Sequence, residues 1–181
     1  MSNRPIEQIE IDIRRAESGD EEVVAAILTE AAQWLERRGM GMWRANELTP
    51  ERISTDVSDG LFHLAYVGQP VGTIKYQLSD LEFWPDVPGD DSAFVHRLAV
   101  CRGFAGGSVS TALLKWAVRR TEARGRRFLR LDCEASRPRL RAVYERFGFR
   151  HHSDRQVGPY FVARYELEVR GFDAGPTDVT V

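Results

Sequence analysis

Two groups of residues have the types and spacing to do chemistry. Gly106 and Gly107 stand between an apolar strand pattern, Ala93 to Val100, and a helical pattern that stops at Gly125. A tight turn from a strand into a helix N-terminus presents backbone N–H groups that no intrahelical carbonyl takes, and these bind anions. The second group is the run Tyr144-Glu145-Arg146-Phe147-Gly148-Phe149, one strand further along the chain. A tyrosine there can act on whatever the anion carries, so a phosphate-bearing co-substrate used for group transfer is the first chemistry implied. His96, on the strand before the turn, offers a group that accepts protons near neutral pH; a satisfied structural role fits it equally. Asp132, at the end of its strand, offers a carboxylate for a cationic amine, with solvation or a pair with an arginine as alternatives.

These residues need a scaffold, and the patterning supplies one. Ile9 to Ile13 alternates apolar and polar as a half-buried strand does. Val23, Val24, Ile27, Leu28, Ala31, Trp34 and Leu35 follow at helical spacing, and Gly39 and Gly41 end that helix. Thr49-Pro50-Glu51 reads as an N-cap with proline at the first helical position. Leu61 to Val67 and Val71 to Leu78 flank Gly68-Gln69-Pro70 as a hairpin. An acidic loop, Ser79 to Asp91, precedes the strand Ala93 to Val100, whose side chains Phe94, His96, Leu98 and Val100 are expected on one face. The next helix is expected to bury Val109, Ala112, Leu113, Trp116 and Ala117. Phe128 to Cys133 is a strand, Leu140, Val143, Tyr144 and Phe147 form one helical face, and Phe149 to Asp154 with Phe161 to Val169 close the sheet. The fold class predicted is α/β (α+β): a mixed, mainly antiparallel sheet of six to seven strands with helices on both faces. Residues 1–170 are expected to form a single domain, and 171–181 a mobile tail without apolar periodicity.

The chain of 181 residues is long enough for one buried core and short for two. A net charge of −2 argues against nucleic-acid or anionic-membrane partners. The arginines outnumber Lys75 and Lys115, the only lysines, 23 to two, which is read as a codon bias rather than a phosphate-binding surface. Cys101 and Cys133 show no metal-ligand spacing and read as small buried side chains. His63, His151 and His152 likewise find no third ligand at metal spacing, so no metal is expected. No apolar run reaches transmembrane length and the first residues carry no signal core, so a cytoplasmic protein is expected. The missing G-x-G-x-x-G spacing argues against a dinucleotide fold.

Taken with the order of elements, His96-Arg97-Leu98-Ala99-Val100, the turn after it, Leu129 to Cys133 and Leu140 to Phe149 resemble the GNAT superfamily of acyl-CoA-dependent N-acyltransferases. The resemblance implies an N-acetyltransferase using acetyl-CoA on a primary amine of a small molecule or peptide, with a homodimer compatible. The family's pyrophosphate loop falls on Ala105-Gly106-Gly107-Ser108-Val109-Ser110, of which Gly106 matches the common spelling. Ala105 replaces the usual cation, and Arg102 is the nearest substitute; the usual asparagine before the tyrosine helix is Arg137. Backbone groups of Leu98, Ala99 and Val100 are implied to pair with the pantetheine arm and to polarise the thioester carbonyl. Tyr144 is implied to protonate the departing thiolate: a positioned phenol (pKa about 10) still carries its proton at neutral pH as the thiolate (thiol pKa about 8.5) leaves. On this reading His96 takes the proton of the attacking ammonium. Trp43 and Trp84, with Phe83, are candidates for the acceptor's aromatic wall, and Glu82, Asp86, Asp90 and Asp91 for a field that attracts a cation. Two alternatives stay open: an acyl-CoA sensor of the same fold without turnover, and a toxin that acetylates aminoacyl-tRNA through the arginines between 119 and 127.

Overall fold

Among the described residues, apolar residues alternating along short runs build seven strands, and helices fill the connections. A computed structural model describes residues 10–41 and 43–171. The strands are β1 (Asp12–Arg15), β2 (Phe62–Val67), β3 (Gln69–Gln77), β4 (Ser92–Val100), β5 (Phe128–Glu134), β6 (Arg150–Val157) and β7 (Tyr160–Glu168). The helices are α1 (Glu21–Glu36), α2 (Pro50–Ser58), α3 (Ser108–Ala123) and α4 (Pro138–Phe147), with single 3-10 turns at Ala45–Glu47 and Arg102–Phe104. One sheet takes the order β1-β2-β3-β4-β5-β7-β6. Every neighbouring pair is antiparallel except β4 and β5, which are parallel and therefore need the long crossover that α3 supplies. This is the mixed, mainly antiparallel sheet expected from the sequence.

Helices cover both faces. Under α3 and α4 lies a core that includes Val71, Ile74, Val95, Leu113, Leu129, Leu131, Tyr144 and Tyr165. The other face packs Val24, Leu28, Ile53, Phe62, Leu64 and Ala99 under α1 and α2. Thr49 caps α2 as expected, its hydroxyl accepting from the Arg52 amide at 3.4 Å, with Pro50 at the first helical position. Gly148, at φ +120°, stops α4 in a conformation that L side chains rarely adopt.

Some expectations change in detail. The β2–β3 turn narrows to Gly68, because β3 already starts at Gln69. Val143 lies off the buried face of α4 and is exposed, while Ala112 and Trp116 are only half-buried on α3. The two strands that close the sheet take the order β7 then β6: β7, beside β5, is buried through most of its length, whereas the charged β6 is exposed and suits an edge. Residues 172–181, nearly all of the expected tail, lie outside the described residues.

Candidate active site

The parallel pairing of β4 with β5 stops early, and the site forms where it stops. The ladder runs from Ser92–Phe128 to Val95–Leu131 and goes no further, although both strands continue. The cause is a bulge in β4. Along β3 the register passes from Thr73–Ala99 to Lys75–His96, so β4 spends one extra residue, and Arg97 there has φ +50°. Past Val95, the β5-facing side of residues 96–100 has no ladder partner, which makes an open fork. The bulge also reverses the alternation of β4. Ala93, Val95, Leu98 and Val100 belong with the α3/α4 core, and Ala99 with the α1/α2 core. Phe94, His96, Leu98 and Val100 therefore do not share one face as the unbroken alternation predicted.

The turn after β4 has the features of an anion site. Gly107 is the N-cap of α3, and no side chain caps the helix; its first turn carries no acid. The leading amides of α3 are thus left for a ligand. Gly106 sits at φ +78°, and a Cβ built there would meet no atom within 4 Å, so its outer side is open to an approaching group. Ser108 and Ser110 stand on the first turn of the helix itself. Arg102, the expected substitute cation, is committed elsewhere: its guanidinium stacks on Trp34 of α1, 3.7 Å from the ring centroid.

On the α3/α4 side of the fork, Tyr144 packs against Phe149 and Tyr165 and is 8% exposed. Its hydroxyl makes no hydrogen bond among the described residues. Burial, and then the nearby Cys133 and Asp132, push its pKa well above that of an ordinary phenol. The group therefore stays protonated at neutral pH. Both thiols are pushed up as well: Cys101 to about 11 by burial and then Glu30, and Cys133 to about 12 mainly by burial.

At the crotch of the fork the His96 ring lies between two carboxylates. Nε2 is 2.9 Å from Asp80 and Nδ1 is 3.3 Å from Asp132. The approach angles are poor, so Nε2 and both facing oxygens lack an aligned hydrogen bond; the attraction is mainly between charges. Burial alone would lower the His96 pKa, but Asp132 and Asp80 outweigh it and raise it to about 9. At neutral pH the ring is an imidazolium with no room to take another proton. The geometry therefore makes His96 a charged pin across the fork rather than the base expected from the sequence. Asp132 holds this imidazolium, which takes the place of the amine or arginine expected there.

The acidic loop also serves the sheet. Asp86 grips Arg164 at 2.6 and 2.9 Å, and Asp91 meets Arg130 at 3.3 Å, so neither is a free charge for a substrate. Trp84 is 1% exposed, packed among Phe94, His152, Arg130 and Arg164. It anchors the loop and offers no surface to a ligand, contrary to expectation. Trp43 is half-buried against the α1/α2 core. Arg137 donates Nη2 to the carbonyls of Met40 and Gly41, at 2.9 Å for the latter, tying the start of α4 to the loop after α1. His63 is structural as expected: it stacks on Trp116 at 4.1 Å, and burial lowers its pKa to about 4.

Sequence reasoning missed Asp80, Arg97, Glu47 and Tyr160. The adjacent polar pair His96-Arg97 inside an apolar strand was the one signal of the bulge. Asp80 gave none beyond a turn after a strand.

The profile of the Acetyltransferase (GNAT) family matches residues 25–149. The chain belongs to the GNAT family. It is 27% identical over 139 residues to the uncharacterized N-acetyltransferase YesJ of Bacillus subtilis (strain 168), covering 72% of this chain and 76% of that protein. Among solved structures it resembles a GNAT acetyltransferase of Listeria monocytogenes 4b F2365 at a TM-score of 0.72 and 22% identity, covering 88% of this chain and 96% of the other. It also resembles the PaiA N-acetyltransferase of Thermoplasma acidophilum in complex with coenzyme A, at 0.69 and 17%, covering 86% and 98%. This GNAT chain is an acyl-CoA-dependent acetyltransferase with acetyl-CoA as its co-substrate. Among the described residues no helix is long and apolar enough to cross a membrane.

Proposed function

We propose that this GNAT protein transfers the acetyl group of acetyl-CoA to a primary amine of a small molecule or peptide by direct attack. The observation that carries the proposal is the fork: β4 and β5 part after Val95–Leu131, with an uncapped helix N-terminus beyond one arm and an unpartnered tyrosine hydroxyl beside the other. Acetyl-CoA supplies an activated thioester. The amides at 107–110 and the open side of Gly106 hold its pyrophosphate, and the free edge of Leu98, Ala99 and Val100 pairs with its arm and polarises the carbonyl. Tyr144 then gives its proton to the sulfur that leaves, and the proton that the amine loses on forming the amide passes to solvent, from which the phenolate is reprotonated. The amine comes from the opposite face, where His96, Arg97 and Asp132 lie, so the acceptor and the departing thiol are kept on separate sides of the sheet.

Direct attack is favoured over a relay through the chain because Cys101 and Cys133 both hold their protons far above neutral pH. Most of the rate then comes from positioning and carbonyl polarisation. A second reading, acyl-CoA binding without turnover, draws on Ala105 and on the engagement of Arg102 with Trp34. Isothermal titration with acetyl-CoA, paired with thiol release over a panel of primary amines, separates the two. Transfer predicts binding and amine-dependent release; binding with no release from any amine leaves the sensor.

A further inference from the structure

The bulge that opens the fork also aims a cation into a depression that the transfer chemistry above does not use. Arg97 occupies the bulge at φ +50°, a conformation an arginine adopts only when its surroundings hold it there. Its side chain leaves the strand toward the connection between α1 and α2. There Nη1 donates to the Glu47 carbonyl at 3.0 Å. Among the described residues that is its one side-chain hydrogen bond, and no carboxylate lies within ion-pair distance. The guanidinium is partly buried, and burial lowers its pKa despite the charges of Glu47 and Asp56. A guanidinium has five N–H donors, and leaving most of them unmet at a partly buried position is costly.

Arg97, Arg52, Asn46 and Glu47 line a depression of about 350 Å³. That volume suits a small molecule rather than a folded partner. Arg52 stands exposed at its edge, while the Glu47 carboxylate accepts from the Tyr160 hydroxyl at 2.8 Å. The depression thus combines two cations, one of them held by backbone geometry, with one carboxylate. Dianionic phosphate would face Glu47 at close range. A carboxylate, with a single negative charge, matches the fork of Arg97 better. Arg97 belongs to β4, so the depression borders the strand that forms one arm of the fork.

We propose that the acceptor is a small amine that carries a carboxylate, an amino acid or a close relative, and that Arg97 binds this carboxylate. The inference rests on the transferase reading for the fate of the amine, but the binding it describes is independent of turnover. The test therefore reads binding first. Glycine, β-alanine and γ-aminobutyrate are titrated into the coenzyme A-loaded protein by calorimetry, alongside ethanolamine, aminopropanol and aminobutanol, in which a hydroxyl replaces the carboxylate. Taurine, with a sulfonate, asks whether any anion will do.

At least one amino acid is expected to bind tenfold or more tightly than its alcohol, and Arg97→Gln to abolish that difference. Arg97→Lys should restore it only in part, because the ammonium cannot make the two-point contact. Arg52→Gln, at an exposed position, keeps the test open should Arg97→Gln fold poorly, and it should weaken the amino acid several-fold while leaving the alcohol unchanged. Equal affinity of acids and alcohols for the wild-type protein, or a preference that survives in Arg97→Gln with native circular dichroism, would overturn the proposal. Taurine equal to the best amino acid would overturn its carboxylate specificity. Carboxylate-dependent binding with no thiol release from acetyl-CoA would instead count against the transferase reading alone.

Discussion

Replacing His96 by glutamine removes a positive charge lodged between Asp80 and Asp132, and its energetic signature follows from the pKa. The imidazole titrates at about 9 in the folded chain against an ordinary 6.5, a gap of about 2.5 units. At 1.36 kcal/mol per unit this is on the order of 3 kcal/mol of folding stability. The same contact lowers the Asp80 pKa, so the two shifts describe one interaction and are not summed. The pKa is raised on folding, so the folded state holds the proton more tightly. The contribution is complete below the unfolded value of about 6.5 and is lost as pH rises through about 9. Urea unfolding of wild type and His96→Gln at about pH 6 and about pH 10 measures it. The wild type should be the more stable by a few kcal/mol at the lower pH, and that advantage should mostly vanish at the higher one. Imidazole NMR shifts should give a midpoint near 9. A midpoint near the ordinary 6.5, or an advantage that does not change with pH, would refute the charged-pin account and return His96 to the role of base.

Other consequences follow from the same geometry. Gly106→Val should lower acetyl-CoA affinity at least tenfold by calorimetry, because valine cannot easily hold φ +78° and its side chain enters the space left for the ligand; retained affinity would move the phosphates elsewhere. Intact-protein mass spectrometry after incubation with acetyl-CoA and no amine should show no acetylated chain, since Cys101 and Cys133 hold their protons; an acetyl adduct on either would replace direct attack by a covalent relay. Arg137→Gln should cost about 1–3 kcal/mol in chemical unfolding, by leaving the Met40 and Gly41 carbonyls without their donor. No loss of stability there would mean that water replaces the tie.

Local chemistry was readable along the chain; its long-range geometry was not. Thr49-Pro50 announced α2, and Gly125 the end of α3, because capping and φ preferences act within a few residues. The turn at Gly106 and the place of Tyr144 were equally legible, since both depend on neighbours in sequence. The bulge at Arg97 was not, because one added residue leaves the pattern of an apolar strand nearly intact while exchanging the faces on either side of it. Trp84 read as a loop aromatic free to meet a substrate, whereas Arg130 and Arg164, from strands far along the chain, bury it. The part of Asp86 was hidden for the same reason: it answers Arg164 across 78 residues. His96 was found as a residue, but its charge is decided by Asp80 and Asp132, which meet only in the folded sheet.

The central claim is that Tyr144 donates its proton during transfer and does not merely fill the core. Turnover at saturating acetyl-CoA and acetyl-CoA affinity, measured on one preparation of Tyr144→Phe, test it most directly. The phenol hydroxyl has no protein partner to lose, so the variant should fold and bind acetyl-CoA within about threefold of wild type while kcat falls about 100-fold or more. Turnover that survives the substitution, or turnover and affinity lost together, would contradict the claim.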